Sequence, residues 1–362
     1  MTHLDLTAPV EDLAKALVDI PSVSGNEDRI ADAVEAALAP YAHLEVIRLG
    51  NAIVARTHLG RAERVVIAGH LDTVPIKGNV PGWWEDDALV GRGSVDMKAG
   101  VAVQLSLAAA LTAPTRDVTW VFYDQEEVEA VRNGLGRIAR ERPDLLEADF
   151  AVLCEPTSGV IEGGCNGTLR AEIRTGGVAA HSARAWKGVN AIHGAAPLLA
   201  ALAAHAPESH EVDGLTYREG LNAVLVRGGV ATNVIPDECV VTVNYRFSPR
   251  WSLEEAQDRL KAFVASAGLA DWGMEFTDLS GAARPGLDAP LAASFAASVA
   301  ATGVDAPRAK QGWTDVARFG ELGIPAVNYG PGDPELAHAD DERCPVADIR
   351  NCRAGLEAWL TA

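Results

Sequence analysis

A run of acidic residues follows one of the most apolar segments of the chain. In the stretch "VTWVFYDQEEVEA" (118–130), six residues typical of a buried strand lead directly into Asp124, Gln125, Glu126 and Glu127. Three carboxylates within four residues repel one another, and burying a charge is costly unless a partner or a metal ion offsets it. The strand end is therefore expected either to lie in water or to face a positive group.

Other apolar segments also end in a histidine or a carboxylate. His70 and Asp72 follow the apolar run "RVVIAG". Asp96 lies in "GRGSVDMKAG", just before a predicted helix, and Glu155 follows the apolar run "DFAVLC". In open α/β sheets the carboxyl ends of the strands form the ligand-binding edge, so these groups can converge there. Each signal alone is weak, because a glutamate pair is usually a solvated helix start, but their joint occurrence favours a site.

One or two histidines with three or four carboxylates form a donor set suited to a divalent metal ion. Imidazole and carboxylate ligands favour Zn²⁺, Co²⁺ or Mn²⁺ over Ca²⁺ or Mg²⁺, and the absence of nearby cysteine ligands argues against a purely structural zinc site. Two ions roughly 3.5–4 Å apart would let one carboxylate bridge them. Asp72 would then orient the His70 ring. Of the adjacent Glu126 and Glu127, one would ligate and the other would take a proton from water.

Helix and strand patterns alternate along the chain and would position these residues. Strands are predicted at 64–69, 118–123 and 149–154, and helices at 97–111 and near 133–142. Ser24 and Glu27 are spaced as a capping box for an earlier helix. This order predicts an α/β fold with a central, mainly parallel mixed sheet flanked by helices.

The pattern changes after "GGCNG", where alternating strands and two helices predict a smaller α+β domain. Within it, the polar stretch 206–220 is expected to be a long loop. A segment rich in Gly and Pro at 280–290 then leads back to the first pattern. We therefore expect a discontinuous catalytic domain of residues 1–167 and 281–362, and an inserted domain of residues 168–280.

The composition limits the class of partner. Acidic residues outnumber basic ones 50 to 31, which gives a formal net charge of −19. This charge argues against nucleic acid or an anionic membrane as partner, and an anionic substrate would need a local cluster of Arg or Lys. The N-terminus has no basic start followed by an apolar core, and the five cysteines fall in no C-x-x-C spacing. A cytoplasmic protein with reduced, packed thiols is therefore expected.

Taken together, the motifs are similar to those of the M20 family of metallopeptidases and deacylases. The similarity runs through nearly the whole chain, in "PSVSGNE", "GHLDTVP", "GRGSVDMKAG", "YDQEE", "CEPT", "AAHSARAW", "NVIP", "NYRF" and "YGPGDPELAHADDE". Within that family the chain looks most like the succinyl-diaminopimelate desuccinylases of actinobacteria. The resemblance implies a di-zinc exopeptidase-like fold, a lid and dimerisation role for the inserted domain, and a cis peptide bond between Asp96 and Met97.

The resemblance also implies how metal would be bound. It implies two divalent ions, Zn²⁺ before Co²⁺, held by His70, Asp96, Glu127, Glu155 and His338. Asp96 would bridge the two ions. His70 and Glu155 would complete one site. Glu127 and His338 would complete the other.

Catalytic and substrate-binding roles follow from the same resemblance. Glu126 would be the general acid/base, and Asp72 would orient the His70 ring. In a homodimer, His181 would reach into the active site of the partner subunit and stabilise an oxyanion. The residues implied to contact the substrate are Asn233, Arg246 and Thr314.

The chain departs from the family pattern at two places. Gln125 stands where the family usually has an Asp, but that acid is not a ligand, so metal binding should survive. The segment "GGCNG" lacks an arginine that many desuccinylases carry there to hold a substrate carboxylate. Arg184 and Arg170 are the candidates to replace it.

The principal hypothesis is hydrolysis of N-succinyl-L,L-diaminopimelate, a small N-acyl amino acid, to succinate and L,L-diaminopimelate in lysine biosynthesis. Alternatives on the same fold are an acetylornithine deacetylase, an aminoacylase or a carboxypeptidase-like peptidase. A hypothesis of another class is a non-catalytic, metal-dependent binding protein. The presence of Glu126 beside Glu127 argues against it, because a binding protein needs no base.

Overall fold

Helices and strands alternate along most of the chain, as the sequence predicted. The computed structural model describes residues 3–301 and 303–362. The α-helices are Val10–Val18 (α1), Asp28–Leu38 (α2), Lys98–Ala110 (α3), Gly134–Glu141 (α4), Ala191–Ala204 (α5), Leu253–Ser266 (α6), Pro290–Ala300 (α7), Val316–Glu321 (α8) and Val346–Thr361 (α9). The β-strands are Glu45–Leu49 (β1), Ala52–Arg56 (β2), Arg64–His70 (β3), Trp83–Glu85 (β4), Ala88–Val90 (β5), Asp117–Tyr123 (β6), Phe150–Leu153 (β7), Glu162–Gly163 (β8), Gly167–Gly176 (β9), Ala180–His181 (β10), Ser209–Val212 (β11), Leu215–Arg218 (β12), Gly220–Gly228 (β13), Val234–Ile235 (β14), Glu238–Phe247 (β15), Trp272–Ser280 (β16), Arg308–Ala309 (β17), Ala326–Asn328 (β18) and Arg343–Pro345 (β19).

The chain divides into two compact units. The larger unit comprises Met1–Gly164, Pro285–Ala309 and Arg318–Ala362, and the smaller unit comprises Cys165–Arg284 and Lys310–Ala317. These bounds lie within a few residues of the predicted domain bounds except at Lys310–Ala317, which the sequence placed in the larger domain. The catalytic role of the larger unit and the lid role of the smaller unit stay predictions.

The larger unit contains an eight-stranded sheet in the order β1-β2-β6-β3-β7-β18-β8-β17. β3 lies between β6 and β7 and is parallel to both, and β18 is parallel to β7. β2 is antiparallel to both β1 and β6, and β18 is antiparallel to β8. This mainly parallel mixed sheet confirms the predicted α/β class. The same unit holds the three-stranded sheet β19-β5-β4.

Helices cover this sheet because its central strands are apolar on both faces. All seven residues of β6 are buried, and a strand of that kind needs a layer on each side. The helix α3 is buried along nearly its whole length. Phe150 of β7, Phe295 of α7 and Trp359 of α9 form an aromatic cluster with ring centroids 4.9–6.1 Å apart. Such tilted and edge-to-face contacts stabilise the packing of helices on the sheet.

The smaller unit is built on a four-stranded antiparallel sheet in the order β13-β15-β9-β16. Residues of β9 and β15 alternate between buried and more exposed positions, as expected for strands with one face on a core. That core joins Leu169 and Ile173 of β9 to Leu198 of α5 and Leu260 of α6. The stretch 206–220, expected to be a loop, instead contains the hairpin β11–β12.

Three further features concern the cysteines, one peptide bond and the helices. All five cysteines are free and buried, as the sequence indicated. The peptide bond between Asp96 and Met97 is cis, as the resemblance implies. Among the described residues, no helix is both long and apolar enough to cross a membrane.

Asp117 fixes the amino end of β6. Its Oδ1 atom accepts hydrogen bonds from the Thr57 hydroxyl (2.8 Å) and the Leu59 amide (2.7 Å), and Oδ2 accepts one from the Arg61 amide (2.9 Å). Burial opposes ionisation, but these hydrogen bonds and the nearby Arg64 hold the pKa of Asp117 below its ordinary value. The ionised carboxylate therefore stabilises the folded state.

We expect Asp117→Asn to lower the free energy of unfolding at neutral pH by about 1–3 kcal/mol, because the amide leaves one backbone donor without an acceptor. Since the folded-state pKa is depressed, the stabilisation is present above the unfolded-state pKa of about 3.9 and is lost as pH falls through the folded-state value. Urea unfolding of both proteins, from neutral pH down to about pH 3, measures this difference. Equal stabilities at neutral pH, or a gap that does not narrow in acid, would contradict the assignment.

Candidate active site

The predicted site residues of the larger unit lie at the carboxyl edge of the central sheet. His70 is the last residue of β3 and pairs with Tyr123, the last residue of β6. On the other side of β3, Ala68 pairs with Leu153, the last residue of β7. The segments that leave these three strands therefore start side by side, and the residues that follow meet at one edge.

The Asp96 carboxylate contacts two imidazole rings, one through each oxygen. Asp96 Oδ1 lies 3.0 Å from His70 Nε2, and Asp96 Oδ2 lies 3.4 Å from His338 Nε2. His338 Nε2 also lies 2.9 Å from Glu127 Oε1. Three possible ligand atoms, one from each of His70, Asp96 and Glu127, lie within 4.8 Å of one another. The structure thus brings four of the five predicted metal ligands into one cluster.

The fifth predicted ligand, Glu155, lies at the same edge of the sheet. The Cys154 amide donates a hydrogen bond to the Ala68 carbonyl (2.9 Å), so the pairing of the strands continues past β7. This register places the backbone of Glu155 level with that of His70. The Glu155 side chain is buried, with 5 % of the residue exposed.

The electrostatics of the cluster favour positive charge. Burial alone would raise the pKa of Asp96, but hydrogen bonds with His338 and His70 bring it well below its ordinary value. Hydrogen bonds with Asp96 and Glu127 raise the pKa of His338 to about 10. Burial, and then the charge of Asp96, raises the pKa of Glu127. Two neighbouring carboxylates therefore need a positive partner between them.

The donor set fits a divalent metal ion. Imidazole nitrogens and carboxylate oxygens are the ligands that Zn²⁺, Co²⁺ and Mn²⁺ accept. A cation among these side chains would take over from the protonated imidazoles as the partner of Asp96 and Glu127. The cluster can therefore hold metal with the residues that it already has.

A second group of histidine and acids, in the smaller unit, is already balanced by arginines. One ligand atom each from Glu208, His210 and Glu219 also lie within 4.8 Å of one another. Arg259 pairs with Glu208 at 3.3 Å, and Arg250 Nη1 lies 3.4 Å from His210 Nδ1. Two guanidinium groups at this distance oppose a further cation, so this group is a structural ion-pair network.

Asp72 connects the His70 ring to the segment of Glu126 and Glu127. His70 Nδ1 lies 3.0 Å from Asp72 O and 3.5 Å from Asp72 Oδ1. The Glu126 amide donates to Asp72 Oδ1 (3.0 Å), and the Glu127 amide donates to Asp72 Oδ2 (3.1 Å). Burial opposes ionisation of Asp72, but its contact with His70 and the hydrogen bond from the Glu126 amide hold its pKa below the ordinary value. Asp72 therefore fixes one imidazole and also the backbone of both glutamates.

Ser24 contributes to this site, although the sequence assigned it another task. Its hydroxyl donates to Asp72 Oδ2 at 2.7 Å. The helix α2 begins at Asp28 without a side-chain cap, and Glu27 accepts from the Gly25 amide instead. The predicted capping box was therefore wrong. The N-cap residue is Glu27, three positions after Ser24, so the Ser24 side chain does not cap the helix and instead donates to a charged acceptor.

In the smaller unit, two of the predicted residues are neighbours. His181 is exposed at the end of β10 and pairs with Val234 of β14. The Ser182 amide donates to the Asn233 carbonyl at 2.9 Å. This pairing brings His181 and Asn233 together on one small ribbon.

The other two predicted residues of the smaller unit occupy different environments. Arg246 is half-buried on β15, opposite Thr168 of β9. Burial, and then the nearby Arg170, lowers the pKa of Arg246. Thr314 is buried, with 4 % exposed. The approach of these residues to the metal cluster stays a prediction.

Comparison with known proteins identifies the family. The sequence model of peptidase family M20/M25/M40 matches residues 66–362. A relative from Corynebacterium glutamicum, named succinyl-diaminopimelate desuccinylase, is 46 % identical over 365 residues, which cover 99 % of this chain and 98 % of the relative. A relative from Mycobacterium tuberculosis, named provisionally for the same enzyme, is 55 % identical over 347 residues, which cover 96 % of each chain.

Solved structures share the fold. A tripeptidase from Staphylococcus aureus has a TM-score of 0.79 at 20 % identity, with 99 % of this chain and 98 % of that chain covered. An M20 metallo-carboxypeptidase from Sulfolobus solfataricus has a TM-score of 0.80 at 16 % identity, with 98 % and 99 % covered. Together with the match of the family model and the two close relatives, these findings show that the chain belongs to peptidase family M20/M25/M40, as the motifs predicted.

Proposed function

We propose that this chain is a metal-dependent amidohydrolase that converts N-succinyl-L,L-diaminopimelate to succinate and L,L-diaminopimelate, a step of lysine biosynthesis. The observation that carries the chemistry is the cluster around Asp96, whose member Glu127 directly follows a further glutamate, Glu126. The relatives from Corynebacterium glutamicum and Mycobacterium tuberculosis, similar along nearly the whole chain, support the substrate. A cytoplasmic location, expected from the N-terminal sequence, stays a prediction.

We assign the cluster to two divalent ions, Zn²⁺ before Co²⁺. Asp96 would bridge them, because its two oxygens face different imidazoles. His70 and Glu155 would complete one site. Glu127 and His338 would complete the other. Divalent ions supply Lewis-acid polarisation of a carbonyl and lower the pKa of water toward about 7.

Residues of the chain would then transfer the proton of the attacking water. The Glu126 carboxylate accepts a proton from the attacking water and later donates it to the amide nitrogen, which leaves as the amine. A C–O bond forms at the succinyl carbonyl, and the C–N bond breaks. Asp72 holds the backbone of both glutamates, while the side chain of Glu127 contacts His338. Because only Glu127 is assigned to the cluster through this contact, we assign Glu127 as the ligand and Glu126 as the base.

We assign substrate contacts to residues of the smaller unit. His181 would donate a hydrogen bond to the developing oxyanion. Asn233, Arg246 and Thr314 would contact the substrate. A half-buried guanidinium such as that of Arg246 can hold a carboxylate bidentately. Arg170 already pairs with Asp278 at 3.3 Å, which makes the exposed Arg184 the better candidate to replace the missing arginine.

A comparison of substrates at full Zn²⁺ occupancy tests the function. The kcat/KM for N-succinyl-L,L-diaminopimelate should exceed that for acetylornithine and for an unmodified tripeptide by at least about 100-fold, because polar groups placed for one substrate stay unpaired with another. Steady-state kinetics on one protein preparation give all three values. A higher kcat/KM for acetylornithine or for the tripeptide would reject the desuccinylase. No turnover of any of the three, with metal bound, would favour a binding protein.

Replacing Glu126 tests the division of tasks between the two glutamates. We expect Glu126→Gln to lower kcat by about 10²–10⁴-fold with unchanged metal content, because only the proton acceptor is lost. Glu127→Gln is the matched variant one position away, and it should lose bound metal. Metal analysis and kinetics on both variants separate the roles. Near-normal turnover by the Glu126 variant would exclude it as the base.

We also propose a homodimer formed by the smaller unit. β13 is the edge strand of its four-stranded sheet. The exposed side chains of Val224, Leu225 and Val226 follow one another along this edge. An edge strand with unpaired backbone groups and exposed aliphatic side chains is a template for pairing with another chain.

Charge placed on this edge should separate the subunits. We expect Leu225→Asp to give a monomer by light scattering and to lower kcat by at least about tenfold, because His181 would no longer reach the site of the partner subunit. Metal content should not change. Leu279→Asp is the matched control, since Leu279 is 40 % exposed on the opposite edge strand β16. A dimer that survives Leu225→Asp, or an unsubstituted monomer with full activity, would contradict the proposal.

A further inference from the structure

A buried ion pair joins the two loops that carry Asp96 and His338. Arg92 Nη1 donates to Glu342 Oε2 at 2.8 Å. The two side chains are only 2 % and 1 % exposed. Moving both charges out of water costs free energy, and the attraction between them often does not offset that cost. A buried ion pair therefore need not be there to stabilise the fold. Its place between two loops of the candidate metal site indicates a positional role.

The second oxygen of Glu342 holds the backbone at Asp96. Glu342 Oε1 accepts hydrogen bonds from the Val95 amide (2.9 Å) and the Asp96 amide (3.0 Å). One carboxylate therefore binds the guanidinium with one oxygen and two consecutive amides with the other. A charged acceptor with this many donors fixes the backbone from which the Asp96 side chain extends.

Arg92 holds the other loop. Besides its bond to Glu342, Arg92 Nη1 donates to the carbonyl of Ala339 at 3.2 Å, and Nε donates to the carbonyl of Pro75 at 3.3 Å. Ala339 directly follows His338, whose φ of +66° lies in the left-handed region that side chains other than glycine rarely adopt. The bond to the next carbonyl helps to hold His338 in this conformation.

We propose that Arg92 and Glu342 are positioning residues that set the separation between the Asp96 carboxylate and the His338 imidazole. They thereby control the affinity for the metal ion that these two ligands share. This inference rests on the dinuclear site of the proposed function. Groups that orient ligands from outside the ligand shell typically change metal affinity by about 10–100-fold when they are replaced.

Titration of the metal-free protein with Co²⁺ tests the proposal without any substrate. We expect Glu342→Gln to bind one of the two Co²⁺ ions about 10–100-fold more weakly and to change the visible absorption of that ion. Arg92→Lys keeps the charge but loses the planar guanidinium, whose Nη1 reaches both Glu342 and Ala339 and whose Nε reaches Pro75. It should therefore weaken the binding of the same ion.

Asp117→Asn is the matched control. Asp117 is also a buried carboxylate that accepts two backbone amides, but it lies at the amino edge of the same sheet. This variant should lose stability and keep the Co²⁺ affinity and spectrum of the unsubstituted protein. An equal loss of Co²⁺ affinity in Asp117→Asn would show a general effect of destabilisation and overturn the proposal.

The remaining outcomes are also decisive. If Glu342→Gln and Arg92→Lys both keep the Co²⁺ affinity and visible spectrum of the unsubstituted protein, the positioning role is overturned. The dinuclear site itself would remain supported. If Glu342→Gln does not fold, Arg92→Lys decides alone by the same criterion. An unsubstituted protein that binds fewer than two Co²⁺ ions would reject the dinuclear site itself, and the positioning role with it.

Discussion

Repulsion among carboxylates at one edge of the central sheet is the constraint on which the site depends. The structure meets it by giving the acids two kinds of partner. Asp72 and Glu342 accept hydrogen bonds from backbone amides. Asp96 and Glu127 face imidazole rings instead. Glu342 binds the backbone amide of Asp96 and Asp72 binds that of Glu127, so the first pair fixes the segments from which the second pair extends.

The sheet uses the same device at its other edge for a different purpose. Asp117 accepts two amides and a hydroxyl at the amino end of β6 and holds a turn, with no imidazole among these partners. At the carboxyl edge, Asp72 also binds two amides, but its backbone oxygen and Oδ1 face the His70 ring as well. A carboxylate that binds amides is therefore a structural element in both places. Asp72 also belongs to the candidate metal site because it contacts the ring of His70.

The sequence predicted the part of the site that follows strands. His70 and Glu155 could be found because each comes directly after an apolar run, which marks a strand end. Glu127 lies four residues after such a run, and only the family resemblance distinguished it from Glu126 as the ligand. His338 had no such signal, because it lies in an irregular loop with a positive φ, and only the family resemblance indicated it. Glu342 was missed because its partners lie about 250 positions away along the chain. The capping-box pattern also assigned Ser24 a wrong role. A serine hydroxyl can cap a helix or bind a distant carboxylate, and the local sequence does not distinguish the two.

The net charge of −19 poses the last physical problem for a substrate with several carboxylates. At ionic strengths of cells, charges more than about 8 Å away are largely screened, so the local field decides binding. In the described part of the smaller unit, no carboxylate lies within salt-bridge distance of Arg246, and burial and then Arg170 lower its pKa. Asp278, which pairs with Arg170 at 3.3 Å, offsets part of the effect of Arg170, so burial is the main reason why the charged guanidinium is destabilised. A half-buried guanidinium can bind a carboxylate bidentately whatever the total charge of the chain, and this is the role that we propose for Arg246.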